Sequence, residues 1–249
     1  ARRAGRPYVV SPRGMLVREL VTRKNWFAKT LWIRLIERNT IRHAAAIHAT
    51  SALELEQLGR FGFELPRAEV IPNGVEVETG APSSDSPVSI PADRPYLLFL
   101  GRINWKKGLD RLIPALTLVP DVNLVVAGND EENYRPALEA LAAREGVRER
   151  VHFVGPVYGQ GKQRLLRGAL ALVLPSYSEN FGNVVLEAMA ASCPVVVTEE
   201  VGLADVVRSS GAGVVTGGTP VALGNALQRL TADAEARRAM GEKGRRIVA

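Results

Sequence analysis

The chain has 249 residues, 46% of them hydrophobic and 23% charged, a balance that supports a buried core and excludes a wholly disordered polypeptide. One cysteine, Cys193, excludes an intramolecular disulfide, and three scattered histidines, His43, His48 and His152, leave no ligand cluster spaced for structural zinc. The formal charge of +6 favours an anionic partner, and no stretch approaches the ~20 apolar residues that cross a bilayer. Nor is Ala1 to Arg6 followed by the apolar core of a signal peptide. A soluble or peripheral protein of a reducing cytosol is expected. This length accommodates one complete domain plus part of another. Ala1 is not a methionine and Gly241 to Arg246 reads as helix interior, so both ends are expected to be cut.

The first third alternates short apolar runs with helical patterns. Strands are predicted at Tyr8 to Ser11, Ala46 to Thr50 and Ala68 to Pro72, and helices at Trp26 to Ala45 and Ala52 to Phe61. That alternation predicts a parallel sheet with helices on its faces. Basic residues are densest from Arg13 to Arg42. There Trp26, Phe27, Leu31, Trp32, Leu35 and Ile36 recur at helical spacing, and Arg34, Arg38 and Arg42 form a stripe. Two readings stay open: a partly buried helix with a solvated basic face, or a helix lying on acidic lipid. Nucleic acid is not the expected partner, because no recognised module accompanies the charge. His48, on or after a strand, reads as structural.

Residues 79–94 are rich in Pro, Ser, Gly and Asp and read as a linker, dividing 1–78 from 95–249. Beyond it, nearly all-apolar runs at Tyr96 to Gly101, Asn123 to Gly128, Val151 to Gly155, Ala171 to Ser176, Pro194 to Thr198 and Gly213 to Thr216 predict six parallel strands buried on both faces. Helical patterns separate them at Asp110 to Leu118, Tyr134 to Arg144, Lys162 to Arg167, Val184 to Ala191 and Pro220 to Leu230. The expected fold is α/β, a doubly wound sheet preceded by the tail of another. Ligands of such sheets bind beyond the carboxyl ends of the strands, so the loops that follow each strand carry the candidates.

The first such loop, Gly101 to Gly108, holds Arg102 and Lys107 between two glycines, fixed positive charge of the kind that suits a diphosphate. Solvated lysines explain the same charge, and neither a P-loop nor a dinucleotide fingerprint is present. The second loop, Ser176 to Gly182, opens a helix whose first amides, at Gly182, Asn183 and Val184, favour a phosphate. Glu179 precedes that helix and is within reach of a sugar hydroxyl. Glu187, on the helix itself between Leu186 and Ala188, needs a partner there and is placed to accept from ribose hydroxyls. A favourable charge near a helix start and a surface residue are the plain alternatives. The third loop, Gly155 to Lys162, sets exposed backbone beside Tyr158, where a base can stack; an ordinary turn explains it equally well.

Taken in order and spacing, these segments resemble retaining glycosyltransferases of family 4, which have the two-domain GT-B architecture. The resemblance runs through Ile71-Pro72-Asn73-Gly74-Val75, Gly101-Arg102 with Lys107-Gly108, Val126-Ala127-Gly128, Phe153-Val154-Gly155, and Leu174-Pro175-Ser176. It continues with Glu179-Asn180-Phe181-Gly182 and Leu186-Glu187-Ala188. What it implies is a nucleotide-sugar donor and a glycan or lipid-linked acceptor. Arg102 and Lys107 would bind the donor diphosphate in place of a metal, and no Asp-x-Asp motif occurs. Glu179 would contact the transferred sugar and, with Arg102 and Lys107, act in catalysis. Glu187 would hold the ribose, the segment Asn180, Phe181, Gly182, Asn183 and Val184 would meet the sugar or phosphate through its amides, and Val157 and Tyr158 would lie near the base. Residues 1–78 would be the tail of the acceptor-side domain and 95–249 the donor domain with its last helix truncated. Neither cofactor nor metal is expected. The family's Gly-rich acceptor loop and active-site histidine have no counterpart in the chain. A fragment that binds the nucleotide sugar without catalysis, or a nucleotide-sugar epimerase, remains the alternative.

Overall fold

The computed structural model describes residues 4–17, 26–76 and 93–249. The chain divides into two compact units, Ala1–Asn73 and Gly74–Ala249. The expected linker, 79–94, lies outside the described residues except at its last two positions.

In the first unit three short strands, β1 (Val9–Val10), β2 (Ala46–Ala49) and β3 (Ala68–Val70), lie parallel in that order. Ile41, Ala44, Ile47 and Leu58 form its small core, with Tyr8, Val10 and Leu16 packed against them. Between β1 and β2 runs α1 (Trp26–Trp32), a wider turn at Ile33–Glu37 and α2 (Arg38–Arg42). In the wide turn the Arg38 amide donates to the Ile33 carbonyl five residues back, as in a π-bulge. Arg34, Arg38 and Arg42 are all exposed. Helix α3 (Ala52–Gly59) begins where Ser51 accepts from the Glu54 amide, the capping geometry its Ser-x-x-Glu pattern predicts. Glu54 itself is buried and accepts from the Thr50 amide at 2.7 Å and the Gly14 amide at 2.8 Å, tying the turn after β1 to this helix. His48 hydrogen-bonds the Ile71 carbonyl at 2.9 Å, a structural contact.

The second unit is a six-stranded sheet, wholly parallel. Its strands are β4 (Tyr96–Leu100), β5 (Asn123–Ala127), β6 (Val151–Gly155), β7 (Ala171–Leu174), β8 (Val195–Thr198) and β9 (Gly213–Thr216), in the order β6-β5-β4-β7-β8-β9. Every residue of β4, β5, β7 and β8 is buried, which is why those strands read as continuous apolar runs. The edge strands β6 and β9 are only partly covered. Helices α4 (Leu109–Ala115), α5 (Arg135–Arg144), α6 (Gly159–Gly168), α7 (Asn183–Ala190), α8 (Ala204–Ser210), α9 (Pro220–Ala232) and α10 (Ala234–Val248) connect or follow the strands. Gly74 to Glu76 belong to this unit, and Val75 packs against its core.

Three helices differ from the sequence expectation. Helix α6 starts at Gly159, three residues early, and α8 and most of α10 carry too weak an apolar pattern to read. In α10 the buried positions are Gly241 and Gly244. A Cβ at Gly241 would stand 2.1 Å from the Ser192 carbonyl oxygen, so this helix docks on α7 and the turn after it by close backbone approach. Cys193, beside that contact, is buried, and burial pushes its thiol up to about 12.

Two outcomes follow from this packing. Gly241→Ala is expected to lower stability by about 1–3 kcal/mol in urea unfolding, the usual range for overpacking a tight contact, whereas an unchanged midpoint contradicts it. Cys193 is expected to resist a thiol-specific disulfide reagent at mildly alkaline pH until denaturant is added; rapid reaction of the folded chain would contradict its burial.

Candidate functional site

The strand order reverses at β4, which has β5 on one side and β7 on the other. Loops leaving the carboxyl ends of strands diverge at such a point and open a crevice between them. The loop after β4 is fastened to the end of β5: the Gly101 amide donates to the Ala127 carbonyl at 3.0 Å and the Ile103 amide to Asn129 at 2.7 Å. It closes with one tight turn, Trp105–Lys107, and then Gly108 in the left-handed region at φ +69°. A Cβ at Gly108 would stand 1.9 Å from the Pro175 carbonyl oxygen. Conformation and space both demand glycine.

That close approach brings the loop after β7 alongside. The Tyr177 amide donates to the Lys106 carbonyl at 2.7 Å, so the two loops are joined through the backbone. The Tyr177 side chain is held on three sides. Its hydroxyl donates to Asp110 at 2.9 Å, the Arg111 guanidinium lies 3.3 Å from the ring centre, and the Trp105 ring is 6.3 Å away. Asp110 and Arg111 read in sequence only as the start of a helix. The acid in its first turn was the one available signal.

Across this seam Lys107 pairs with Glu179, the two side chains only 16% and 19% exposed. Both come from the sequence-derived candidates, 72 residues apart in the chain. The backbone of Glu179 is held by the loop after β8: its amide donates to the Glu200 carbonyl at 3.0 Å and its carbonyl accepts from Gly202 at 2.8 Å. Arg102 is not part of that pair. Its guanidinium meets Glu131 at 3.2 Å, and at 63% exposed it is largely solvated, a pair worth ~0–1 kcal/mol at most. Glu131 was not among the candidates, because it lies in the irregular segment before α5 and only the fold brings it to Arg102.

Helix α7 begins at Asn183 after Gly182, whose left-handed φ of +94° turns the chain into the helix. Phe181 is buried in the core, so only its backbone is available to a ligand, while Asn183 is exposed. Glu187 finds the partner it needs in Lys162 of α6, at 3.1 Å. Val157 packs partly against the core and Tyr158 is 74% exposed. Lys162, Asn183 and Glu187 line a cavity of about 270 Å³ with Gly74, Val75 and Glu76. Among the described residues no group of three His, Cys, Asp or Glu side chains is arranged to hold a metal ion.

Residues 82–247 match the model of the glycosyl transferases group 1 family, and residues 1–74 that of a glycosyl transferase 4-like domain. The chain is 37% identical over 229 residues to a D-inositol 3-phosphate glycosyltransferase of Xylanimonas cellulosilytica, an alignment covering 85% of this chain and 54% of the relative. To the enzyme of the same name from Salinispora tropica it is 34% identical over 231 residues, covering 84% and 48%. It thus spans about half the length of these relatives. Among solved structures, sucrose-phosphate synthase of Thermosynechococcus elongatus aligns with a TM-score of 0.82 and 27% identity over 96% of this chain and 62% of that one. Anabaena HepE, solved with UDP and glucose, aligns with a TM-score of 0.82 and 23% identity over 99% and 68%. These neighbours have the GT-B fold, and the chain belongs to the glycosyl transferases group 1 family.

Proposed function

We propose that this chain supplies the donor-binding part of a retaining, metal-independent glycosyltransferase that moves a sugar from a nucleotide sugar to a glycan or lipid-linked acceptor. The observation that carries the reading is the Lys107–Glu179 pair at the point where the strand order reverses. A cation and a carboxylate held together there match the two ends of a sugar diphosphate: charge on the phosphates, hydroxyls on the sugar. In this reading Lys107 and Arg102 take the diphosphate, Glu179 accepts from a hydroxyl of the transferred sugar, and Glu187 accepts from the ribose. Asn180 and the amides of Phe181, Gly182, Asn183 and Val184 meet the sugar or phosphate, and Val157 and Tyr158 lie by the base.

Chemistry follows from where charge develops. As the bond between the sugar's anomeric carbon and the diphosphate oxygen breaks, negative charge grows on the leaving nucleoside diphosphate. Lys107 sits in a partly desolvated seam, where an opposing charge is stabilised more than in bulk water. Arg102 adds a second cation, and its exposed pair with Glu131 is weak enough to exchange for a phosphate. In this reading residues 1–78 supply part of the acceptor side. The neighbours solved with UDP and UDP-glucose support a nucleotide-sugar donor.

The helical stretch from α1 through the wide turn to α2 extends the proposal to a membrane. Phe27, Leu31, Trp32, Leu35 and Ile36 are exposed along it beside the exposed Arg34, Arg38 and Arg42. Apolar side chains interleaved with cations fit the headgroup region of an anionic bilayer, which would hold the protein at the cytoplasmic face. Of the basic stretch 13–42, residues 18–25 lie outside the described residues.

Lys107→Ala and Glu187→Ala are each expected to weaken nucleoside diphosphate binding by at least about tenfold, the loss of one charged hydrogen bond, in calorimetric titration with unchanged circular dichroism. Near-normal binding by both variants would sink the assignment. Separately, the chain is expected to sediment with anionic vesicles at low salt and to be released at high salt. Its remaining in the supernatant at low salt would dismiss the membrane contact.

A further inference from the structure

Lys162 has no role in the reading above, yet its ammonium stands 3.1 Å from the Glu187 carboxylate. The two side chains come from different helices, each is 26% exposed, and both face the cavity that Gly74 to Glu76 and Asn183 also line. Helix stability does not account for the lysine. It closes the first turn of α6, where the helix dipole disfavours a cation, and that turn holds no acidic residue to offset it. Glu187 is its counter-charge, supplied from across the cavity.

An ammonium only donates hydrogen bonds and a carboxylate only accepts them. A vicinal diol does both through each hydroxyl, so it complements the two groups together. A phosphate does not, because it would face the carboxylates of Glu187 and Glu76 in the same cavity. We propose that Lys162 and Glu187 form a clamp for the two ribose hydroxyls of the donor nucleotide, with Lys162 setting the preference for ribose over 2′-deoxyribose. The proposal rests on the nucleotide site described above and adds to it a specificity-determining residue. Loss of the 2′-hydroxyl removes one hydrogen bond to a partly shielded charged pair, and sites built around such hydrogen bonds reject analogues that lack them.

The test is calorimetric titration of the chain with the diphosphates of uridine, adenosine and guanosine and with their 2′-deoxy forms, repeated on Lys162→Met, Lys162→Gln and Lys162→Arg. The ratio of the two affinities is the readout, since it does not depend on how much of a variant is folded. The wild-type chain is expected to prefer the ribose form of its best nucleotide by about tenfold or more, one charged hydrogen bond's worth. Lys162→Met and Lys162→Gln should bring that ratio to about threefold or less, and Lys162→Arg should keep most of it. A wild-type ratio retained by both the Met and Gln variants overturns the role of Lys162. Equal binding of ribose and deoxyribose forms by the wild-type chain overturns the clamp and leaves the nucleotide site standing. If no nucleotide binds, site and clamp fall together.

Discussion

Where β4 separates β5 from β7, two loops leave the sheet side by side, and the Lys106 carbonyl accepts from the Tyr177 amide 2.7 Å away. Most of the candidate site depends on that junction. Gly108 lets the first loop turn against Pro175, Tyr177 is braced by Asp110 and Arg111, and Lys107 is left beside Glu179. The order β6-β5-β4-β7-β8-β9 has only one place where it reverses. A two-loop site made from the ends of a first and a fourth strand therefore forms there and at no other point of the sheet.

The charges of the candidate site satisfy one another. Lys107 is paired with Glu179, Lys162 with Glu187 and Arg102 with Glu131. Partly buried charges left single would be strongly destabilising, so the pairs hold the side chains in place. They differ in exposure, and exposure orders them by how readily a ligand displaces them. Arg102, largely solvated, loses little on changing partner, whereas Lys107 and Glu179 are mostly shielded and keep their geometry. In the proposed function, side chains held in this way would stand ready for a donor, the condition under which electrostatic stabilisation of a developing charge is largest.

The central strands were legible because both faces of the sheet are covered, so Tyr96–Leu100 and Val195–Thr198 read as unbroken apolar runs. The site's loops were legible because they follow those strands. Of helix α10 only Gly241 to Arg246 was legible, since its buried face is made by Gly241 and Gly244, and close backbone contact leaves no stripe of large apolar residues. The ion-pair partners Glu131 and Lys162 escaped for another reason. Their partners lie 29 and 25 residues away, on elements that only the sheet order juxtaposes, and no local spacing encodes that. Lys162 ends the loop Gly155 to Lys162, but its significance depends on Glu187 reaching across from α7.

In the proposed function a nucleotide occupies the crevice at the strand-order reversal. Amide hydrogen exchange of the chain with and without a saturating nucleoside diphosphate tests it most directly, because the method reports position as well as binding. Protection confined to the segments 101–108, 157–163 and 176–187 is the predicted result. Binding accompanied by protection elsewhere, for instance around α9 and α10, with those three segments unchanged, would contradict it.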